Sequence, residues 1–233
     1  MARKKNQDAK VKPDLFMVFG ENENDSDAIR SLVKAIWQHG HELDPPITAE
    51  LPDIRTFRAP LVLIRGRDAA QQKKNAASIG QVVRTMGVTR TVRAVFAHED
   101  CDAVEPAHVQ SATEIETRLA AEGIPNPAAV TPAWEMEAWW YLWPDEVAEV
   151  CASWEKLKRT GQNVGLIKDA KEALIKDLRP KTSKKNTFDY SESDSREIAA
   201  NVLKNKKAYT LAAKSDSYIH FRTRVETIAK AMK

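Results

Sequence analysis

A short apolar run at residues 92–97 constrains the fold of this chain more than any other feature. Five of its six residues are apolar, the exception being Arg93, and the run stops abruptly at a group of acids. Apolar runs of this length are typical of strands that are buried on both faces of a parallel sheet. Because parallel strands need crossover connections, usually helices, this run predicts an α/β protein.

Three more apolar segments alternate with amphipathic helical patterns. The predicted strands occupy residues 15–19, 61–64, 92–97 and 128–131, and helical patterns lie between them at residues 29–37, 69–86 and 109–122. The proline-containing segment 41–58 is predicted to be a loop. This order predicts a parallel sheet of about four strands flanked by helices, with right-handed crossovers.

The pattern becomes helical after residue 133. Helices are predicted at residues 134–143, 145–157, 164–178, 196–206 and 218–232, with a loop at residues 179–195. We therefore divide the chain into a tail (residues 1–13), an α/β domain (residues 14–145) and a basic helical extension (residues 146–233).

Charge is distributed unevenly along the chain. The net charge is +3, but residues 155–233 carry 19 Lys and Arg against 10 Asp and Glu. A basic last third behind an acidic first part favours a polyanionic partner such as nucleic acid. The alternative is that lysine-rich helix surfaces only provide solubility.

Several classes of protein are disfavoured by the sequence. There is no run of 18 apolar residues, no apolar segment after the basic N-terminal residues, and no CxxC pair among the two cysteines. We therefore expect a cytoplasmic protein without a membrane span. A GxSxG elbow, a GxxxxGK[ST] phosphate loop and finger-like histidine spacing are also absent, which disfavours a serine hydrolase, an NTPase and a structural zinc site.

Acidic residues follow three of the predicted strands. Glu21 comes after the first, Asp100 and Asp102 after the third, and Glu135 and Glu137 after the fourth. The carboxyl ends of parallel strands lie along one edge of a sheet, so these carboxylates can converge there. Ligand sets made only of oxygen suit Mg²⁺ or Mn²⁺. A divalent metal site is the leading interpretation, and an acidic loop that caps the next helix is the alternative.

Basic residues near the same edge could bind a phosphate ester. Arg65 and Arg67 follow the predicted second strand, and Lys184 and Lys185 lie, with Lys181, in the predicted loop. We predict that these residues bind nucleic acid. Arg65 and Arg67 could instead belong only to a turn, and the lysines could be merely solvated.

Three short motifs carry a resemblance to a known family. Residues 18–29, with Gly20-Glu21 and an acidic turn, resemble the first motif of Toprim domains, and Asp100-Cys-Asp102 resembles their DxD motif. The segment Trp134-Glu-Met-Glu-Ala-Trp-Trp140 resembles the Glu-x-Glu-x-Trp helix start of the Toprim-like branch found in bacterial phage-defence and mobile-element proteins. The resemblance covers residues 14–145.

The resemblance implies a Toprim-like fold and a metal-dependent nuclease that acts on DNA or RNA as a phage-defence effector. Glu21 would be the general acid/base and also a metal ligand, while Asp100 and Asp102 would hold Mg²⁺ or Mn²⁺. Glu137, and secondarily Glu135, would complete or orient the site. Many Toprim-like nucleases act with a separate ATPase, so an ATPase is a candidate partner, as is a second copy of this chain.

Two other functions stay open. A catalytically inactive Toprim-like adaptor would keep the fold and bind a protein or nucleic-acid partner. A small-molecule phosphohydrolase would require a closed pocket. In the Trp-rich segment, we expect Trp139 and Trp143 to pack in the core, whereas Trp140 lies on another helix face, where it could pack similarly, stack on a base or meet a partner.

Overall fold

A four-stranded parallel sheet forms the centre of the computed structural model, which describes residues 12–58, 62–66, 68–180 and 189–232. The spatial order of the strands is β2-β1-β3-β4. Helices flank the sheet, and the C-terminal part is helical, as predicted. The strands are β1 (Asp14–Phe19), β2 (Asp53–Phe57), β3 (Thr91–His98) and β4 (Pro127–Val130).

Both faces of the sheet are covered. Side chains alternate along a strand, so Phe16 and Val18 of β1 face one apolar cluster while Leu15, Met17 and Phe19 face the other. All five are fully buried. The near-continuous apolar runs of β1 and β3 therefore reflect strands in the middle of the sheet, with helices on both sides.

The predicted second strand is wrong. Residues 63–66 form a bend, residue 61 lies outside the described ranges, and the second strand is β2, inside the segment that was predicted to be a loop. β2 is an edge strand in which Ile54 is the only buried residue, so its sequence lacks an apolar run. The segment around Leu63 is apolar for a different reason, because Leu63 is buried against the helices on one face.

The three helices predicted between the strands are present. α1 (Glu23–His39) lies on one face of the sheet, and α2 (Ala69–Gly87) and α3 (His108–Ala121) lie on the other. α1 leads from β1 to β2 on one side of it, and α2 leads from β2 back past β1 to β3 on the other side. The order in which strands are added therefore reverses between β1 and β3, and such a topological switch point is where ligands bind in open α/β sheets.

Three of the five predicted C-terminal helices are shorter than predicted, and the last two have about the predicted length. The Trp-rich segment forms only α4, because Pro144 starts a separate short helix, α5. Residues 149–157 are not helical, and Asp169, with a φ of 48°, separates a single 3₁₀ turn from α6. The elements are α4 (Glu137–Trp140), α5 (Pro144–Ala148), α6 (Ala170–Leu178), α7 (Asp194–Lys204) and α8 (Asp216–Ala231), with 3₁₀ turns at Gly40–Glu42 and Val164–Leu166.

The C-terminal helices share the apolar cluster on the α1 face of the sheet. Buried residues of α6, α7 and α8, such as Leu174, Ile198 and Phe221, belong to the same cluster as Phe16 and Phe96. The division at residue 145 stays a prediction. Within the described ranges, no helix has both the length and the apolar character that crossing a membrane requires.

Candidate metal centre

Three potential metal-binding side chains meet at the carboxyl edge of the sheet. In the described part of the chain, Glu21, His98 and Asp100 each place a ligand atom within 4.8 Å of the others. Glu21 follows β1, and His98 and Asp100 end and follow β3. The cluster therefore sits at the switch point between β1 and β3.

Glu21 owes its position to a tight turn between β1 and α1. A Cβ at Gly20 would lie 2.7 Å from the backbone nitrogen of Ser26, so only glycine lets α1 approach the strand end this closely. Asn22 caps α1, its side chain accepting a hydrogen bond from Asp25 N at 3.0 Å. The Glu21 carboxylate also accepts a hydrogen bond from the backbone nitrogen of Asp100 at 2.9 Å, which ties the two strand ends together.

His98 is the ligand candidate that sequence reasoning missed. It is the last residue of β3, is fully buried, and lies 3.0 Å (Nε2) from Asp100 Oδ1. Burial alone would lower the pKa of His98, but the charge and hydrogen bond of Asp100, together with the charges of Asp25 and Glu21, raise that pKa to about 9. The available signal was spacing, since residues 98 and 100 share one side of a strand.

Asp25 lies on the buried side of the cluster. This α1 residue is 9% exposed, and its Oδ2 lies 3.7 Å from His98 Nδ1, a buried atom without a hydrogen-bond partner. Burial raises the pKa of Asp25 to about 6; the charge of His98 opposes this rise, and the charges of Asp100 and Glu21 add to it. The imidazole is thus held between two carboxylates, Asp25 and Asp100.

Glu99 points to the other face of the sheet and acts as an anchor. It is fully buried, and its carboxylate accepts hydrogen bonds from the backbone nitrogens of Leu63, Ile64 and Arg65, at 2.7, 3.0 and 2.8 Å. These bonds explain why residues 63–66 bend instead of joining the sheet. They also fix Arg65 beside the acidic cluster.

The guanidinium of Arg65 connects three carboxylates. It makes a short ion pair with Glu21, and its Nη1 and Nε lie 3.2 and 3.3 Å from Asp102 Oδ2 and Glu99 Oε1. Burial opposes its charged form, but the hydrogen bonds and charges of Glu21 and Asp102 raise the pKa of Arg65 further above its ordinary value. Arg65 therefore lies at the acidic edge, although the strand from which this placement was predicted is absent, and it neutralises part of the charge of that edge.

Asp102 does not join the cluster. β3 ends at His98, and Asp102 has a φ of 50°, so the strand geometry that would align it with Asp100 does not persist. The loop after β3 instead runs beside the residues that follow β4, where Asp102 N donates to Trp134 O at 3.1 Å. The Asp102 side chain is directed to Arg65.

Glu135 and Glu137 also lie outside the three-residue cluster. Glu135 accepts a hydrogen bond from the backbone nitrogen of Lys171 at 2.9 Å, and Glu137 accepts one from the Tyr190 hydroxyl at 3.1 Å. Glu137 is 6% exposed, and burial raises its pKa to about 7, with further contributions from the charges of Asp100 and Glu135. It is a buried neighbour of the acidic edge.

The Trp-rich segment is used in the core. Trp139, Trp140 and Trp143 are all essentially unexposed, and the Trp140 indole donates to the hydroxyls of Tyr190 and Ser195 at 3.2 and 3.1 Å. The suggestion that Trp140 stacks on a base or meets a partner is wrong, because no face of its ring reaches solvent. Three residues predicted to bind nucleic acid, Arg67, Lys184 and Lys185, lie outside the described residues, as does Lys181.

The cluster has donor types that a divalent cation uses. It offers two carboxylates and one imidazole, a donor set that suits Mn²⁺ and is compatible with Mg²⁺. Because His98 is protonated near neutral pH, its use as a ligand would require release of a proton.

Comparisons of this chain with models of known protein families, with curated proteins and with solved structures gave no match.

Proposed function

We propose that this chain is a Toprim-like nuclease that depends on Mg²⁺ or Mn²⁺ and hydrolyses phosphodiester bonds in DNA or RNA. The observation that supports it is the meeting of Glu21, His98 and Asp100 at the switch point of a parallel sheet. We further propose a role in phage defence, with a separate ATPase or a second copy of this chain as candidate partners, on the resemblance of the motifs.

The residues at this edge have distinct tasks in the proposed reaction. A bound divalent cation lowers the pKa of a coordinated water and offsets phosphate charge. Glu21 and Asp100 would hold the cation, with His98 as a third donor, and the exposed Glu21 would also transfer a proton to or from the reacting oxygen. Arg65 would turn its guanidinium to the phosphate, where planar paired donors match the geometry of the oxygens.

The direct test is cleavage of labelled DNA and RNA by the purified protein with Mg²⁺ or Mn²⁺. We expect products that need the metal, and we expect Glu21→Gln and Asp100→Asn each to reduce the rate by at least 100-fold. Glu50→Gln is the matched control, because Glu50 is an exposed carboxylate beside Asp14 at the amino end of β1, opposite the edge that carries the cluster. Metal-dependent activity that survives in both site variants would refute the assignment.

A catalytically inactive adaptor is the second candidate, and Arg65 favours it. The guanidinium already pairs with Glu21, the residue that the nuclease needs free. In an adaptor this ion pair would be permanent, and the acidic edge would be structural. Thermal unfolding at increasing Mn²⁺ separates the two: the nuclease should be stabilised by the metal in its folded form, whereas the adaptor should unfold at a constant temperature.

A further inference from the structure

A basic cavity of about 410 Å³ lies beside the C-terminal end of α6, apart from the acidic cluster. Among the described residues that line it, five of eight are cationic, and Glu155 and Asp177 are the acids. This excess of cations favours an anionic ligand. The cations are Lys156, Lys158, Arg159, Lys176 and Arg179.

Arg159 is held rigidly at the wall of the cavity. Its Nε and Nη2 lie 3.1 and 3.0 Å from Asp177 Oδ2, and its guanidinium carbon lies 5.1 Å from the centre of the Tyr141 ring. The Tyr141 hydroxyl donates to the same Asp177 oxygen at 3.0 Å. Among the described residues, Asp177 is the acid that pairs with this guanidinium, through Nε and Nη2, so the Nη1 end makes no ion pair there and can turn to an anion.

Two lysines add charge that no acid offsets. Lys158 and Lys176 are exposed and make no ion pair with any residue that the structure describes. The other two cations make solvent-exposed pairs, Lys156 with Asp145 and Arg179 with Asp189. Exposed pairs of this kind contribute little to stability, so a stronger anion can replace the carboxylate.

The helix dipole explains only part of this cluster. Lys176 and Arg179 lie at the C-terminal end of α6, where a cation offsets the partial negative charge of the helix. Lys156, Lys158 and Arg159 come from the non-helical segment before α6, to which the dipole argument does not apply. A hydrogen bond from Glu155 N to Leu178 O, at 2.9 Å, holds this segment against the helix end. The cations are thus brought together by tertiary structure.

α6 connects the cavity with the acidic edge. The backbone nitrogen of Lys171, in its first turn, binds Glu135, and the adjacent Trp134 accepts a hydrogen bond from Asp102 N. From Lys171 to Arg179 the helix rises about 12 Å. This is the length of about three to four nucleotides at 3.4 Å each. One strand could therefore contact both ends of α6.

We propose that this cavity binds the phosphodiester backbone of the nucleic acid on which the acidic edge acts, without reading its sequence. The proposal rests on the proposed nuclease function and deepens it by naming a second substrate contact. The excess of basic residues from Glu155 onward supports a polyanion over a single small anion. Binding at the cavity needs no metal, because it relies on cations of the chain.

The test uses the full chain in EDTA and a fluorescent strand of about 20 nucleotides, as DNA and as RNA, at several salt concentrations. In Lys158→Ala/Lys176→Ala we expect the affinity near physiological salt to fall about tenfold, and the slope of log affinity against log salt to fall by about 1.4, corresponding to two lost phosphate contacts. Both lysines are exposed and neither pairs with an acid in the described part of the chain, so the variant should fold normally, as checked by thermal unfolding.

The matched control is Arg84→Ala/Lys230→Ala, which removes the same charge from exposed positions in the last turns of α2 and α8. We expect less than a twofold change in its affinity.

Equal losses in both variants, no binding by the wild-type chain, or displacement of the strand by equimolar pyrophosphate or a mononucleotide would each overturn the proposal. Binding without metal-dependent cleavage would refute the nuclease and leave the cavity assignment standing, whereas cleavage with unchanged binding in the lysine variant would refute only the cavity.

Discussion

The Nε2 atom of His98 lies 3.0 Å from Oδ1 of Asp100, inside a cluster that Glu21 completes from the neighbouring strand. Burying a histidine fully costs free energy of folding unless its charge is paired or its ring nitrogen with the lone pair has a partner. This pairing makes the end of β3 a candidate donor pair for a metal.

Replacing His98 should weaken metal binding. We expect His98→Gln to reduce the affinity for Mn²⁺ by about 10–100-fold, because a donor and the partner that orients Asp100 are both lost. The readout is the increase in unfolding temperature as Mn²⁺ is added, compared with the same variant in EDTA. His41→Gln, at an exposed position, serves as the control. Equal Mn²⁺ stabilisation of the two variants would exclude His98 from the site.

Removing Arg65 should have the opposite effect on the metal. Its guanidinium competes with a cation for Glu21, so Arg65→Met should raise the affinity for Mn²⁺ about fivefold, the equivalent of about 1 kcal/mol of charge interaction near the surface. Arg65→Lys keeps the charge and should stay near the wild-type value. Calorimetric titration measures both. A lower affinity in Arg65→Met would mean that the arginine supports the site.

Glu99 should matter for stability more than an ordinary surface acid. Glu99→Gln replaces an acceptor oxygen with a donor amide in front of three backbone N–H groups, which should cost about 2–3 kcal/mol. Urea unfolding in EDTA measures the difference. Glu50→Gln should change the stability by less than about 0.5 kcal/mol. If the two variants were equally stable, the anchoring role of Glu99 would be wrong.

Glu137 should make the stability depend on pH. Burial raises its pKa from 4.5 to about 7, so between these two pH values the folded state keeps a proton that the unfolded state has released. The contribution of protonated Glu137 to the stability is fully present below pH 4.5 and is lost as the pH rises through 7. Glu137→Gln mimics the protonated form. As the pH rises from 5 to 8, the free energy of unfolding of this variant should increase by about 3 kcal/mol relative to that of the wild type.

Urea unfolding of both proteins at several pH values, in EDTA, gives this comparison. Tyr190 can donate its hydroxyl to the amide oxygen of the variant as it does to Glu137, so the hydrogen bond is preserved. A difference between the two proteins that does not change with pH would show that Glu137 has an ordinary pKa.

The interior strands could be predicted from sequence because burial on both faces leaves an apolar run, as in β1 and β3. β2 could not be predicted, because it is an edge strand in which only Ile54 is buried, and its sequence therefore resembles that of a polar loop. The helical pattern of the Trp-rich segment was misleading for a related reason: its tryptophans are buried on all sides by later helices, so periodicity does not report on a helix face.

The candidate site was predictable in part. The convergence of Glu21 and Asp100 follows from parallel topology alone. The exclusion of Asp102 depends on a left-handed turn, and the positions of Arg65 and Glu99 depend on a bend held by long-range hydrogen bonds. Such contacts join residues more than 30 positions apart and leave no local pattern.

The most direct test of the central claim is a crystal structure of the wild-type chain soaked in Mn²⁺, with the ion located by its anomalous scattering. We predict one ion within about 2.0–2.3 Å of oxygens from Glu21 and Asp100, near His98, with Arg65 moved away from Glu21. Absence of an ion at this edge, with the Arg65–Glu21 ion pair intact, would contradict the metal site.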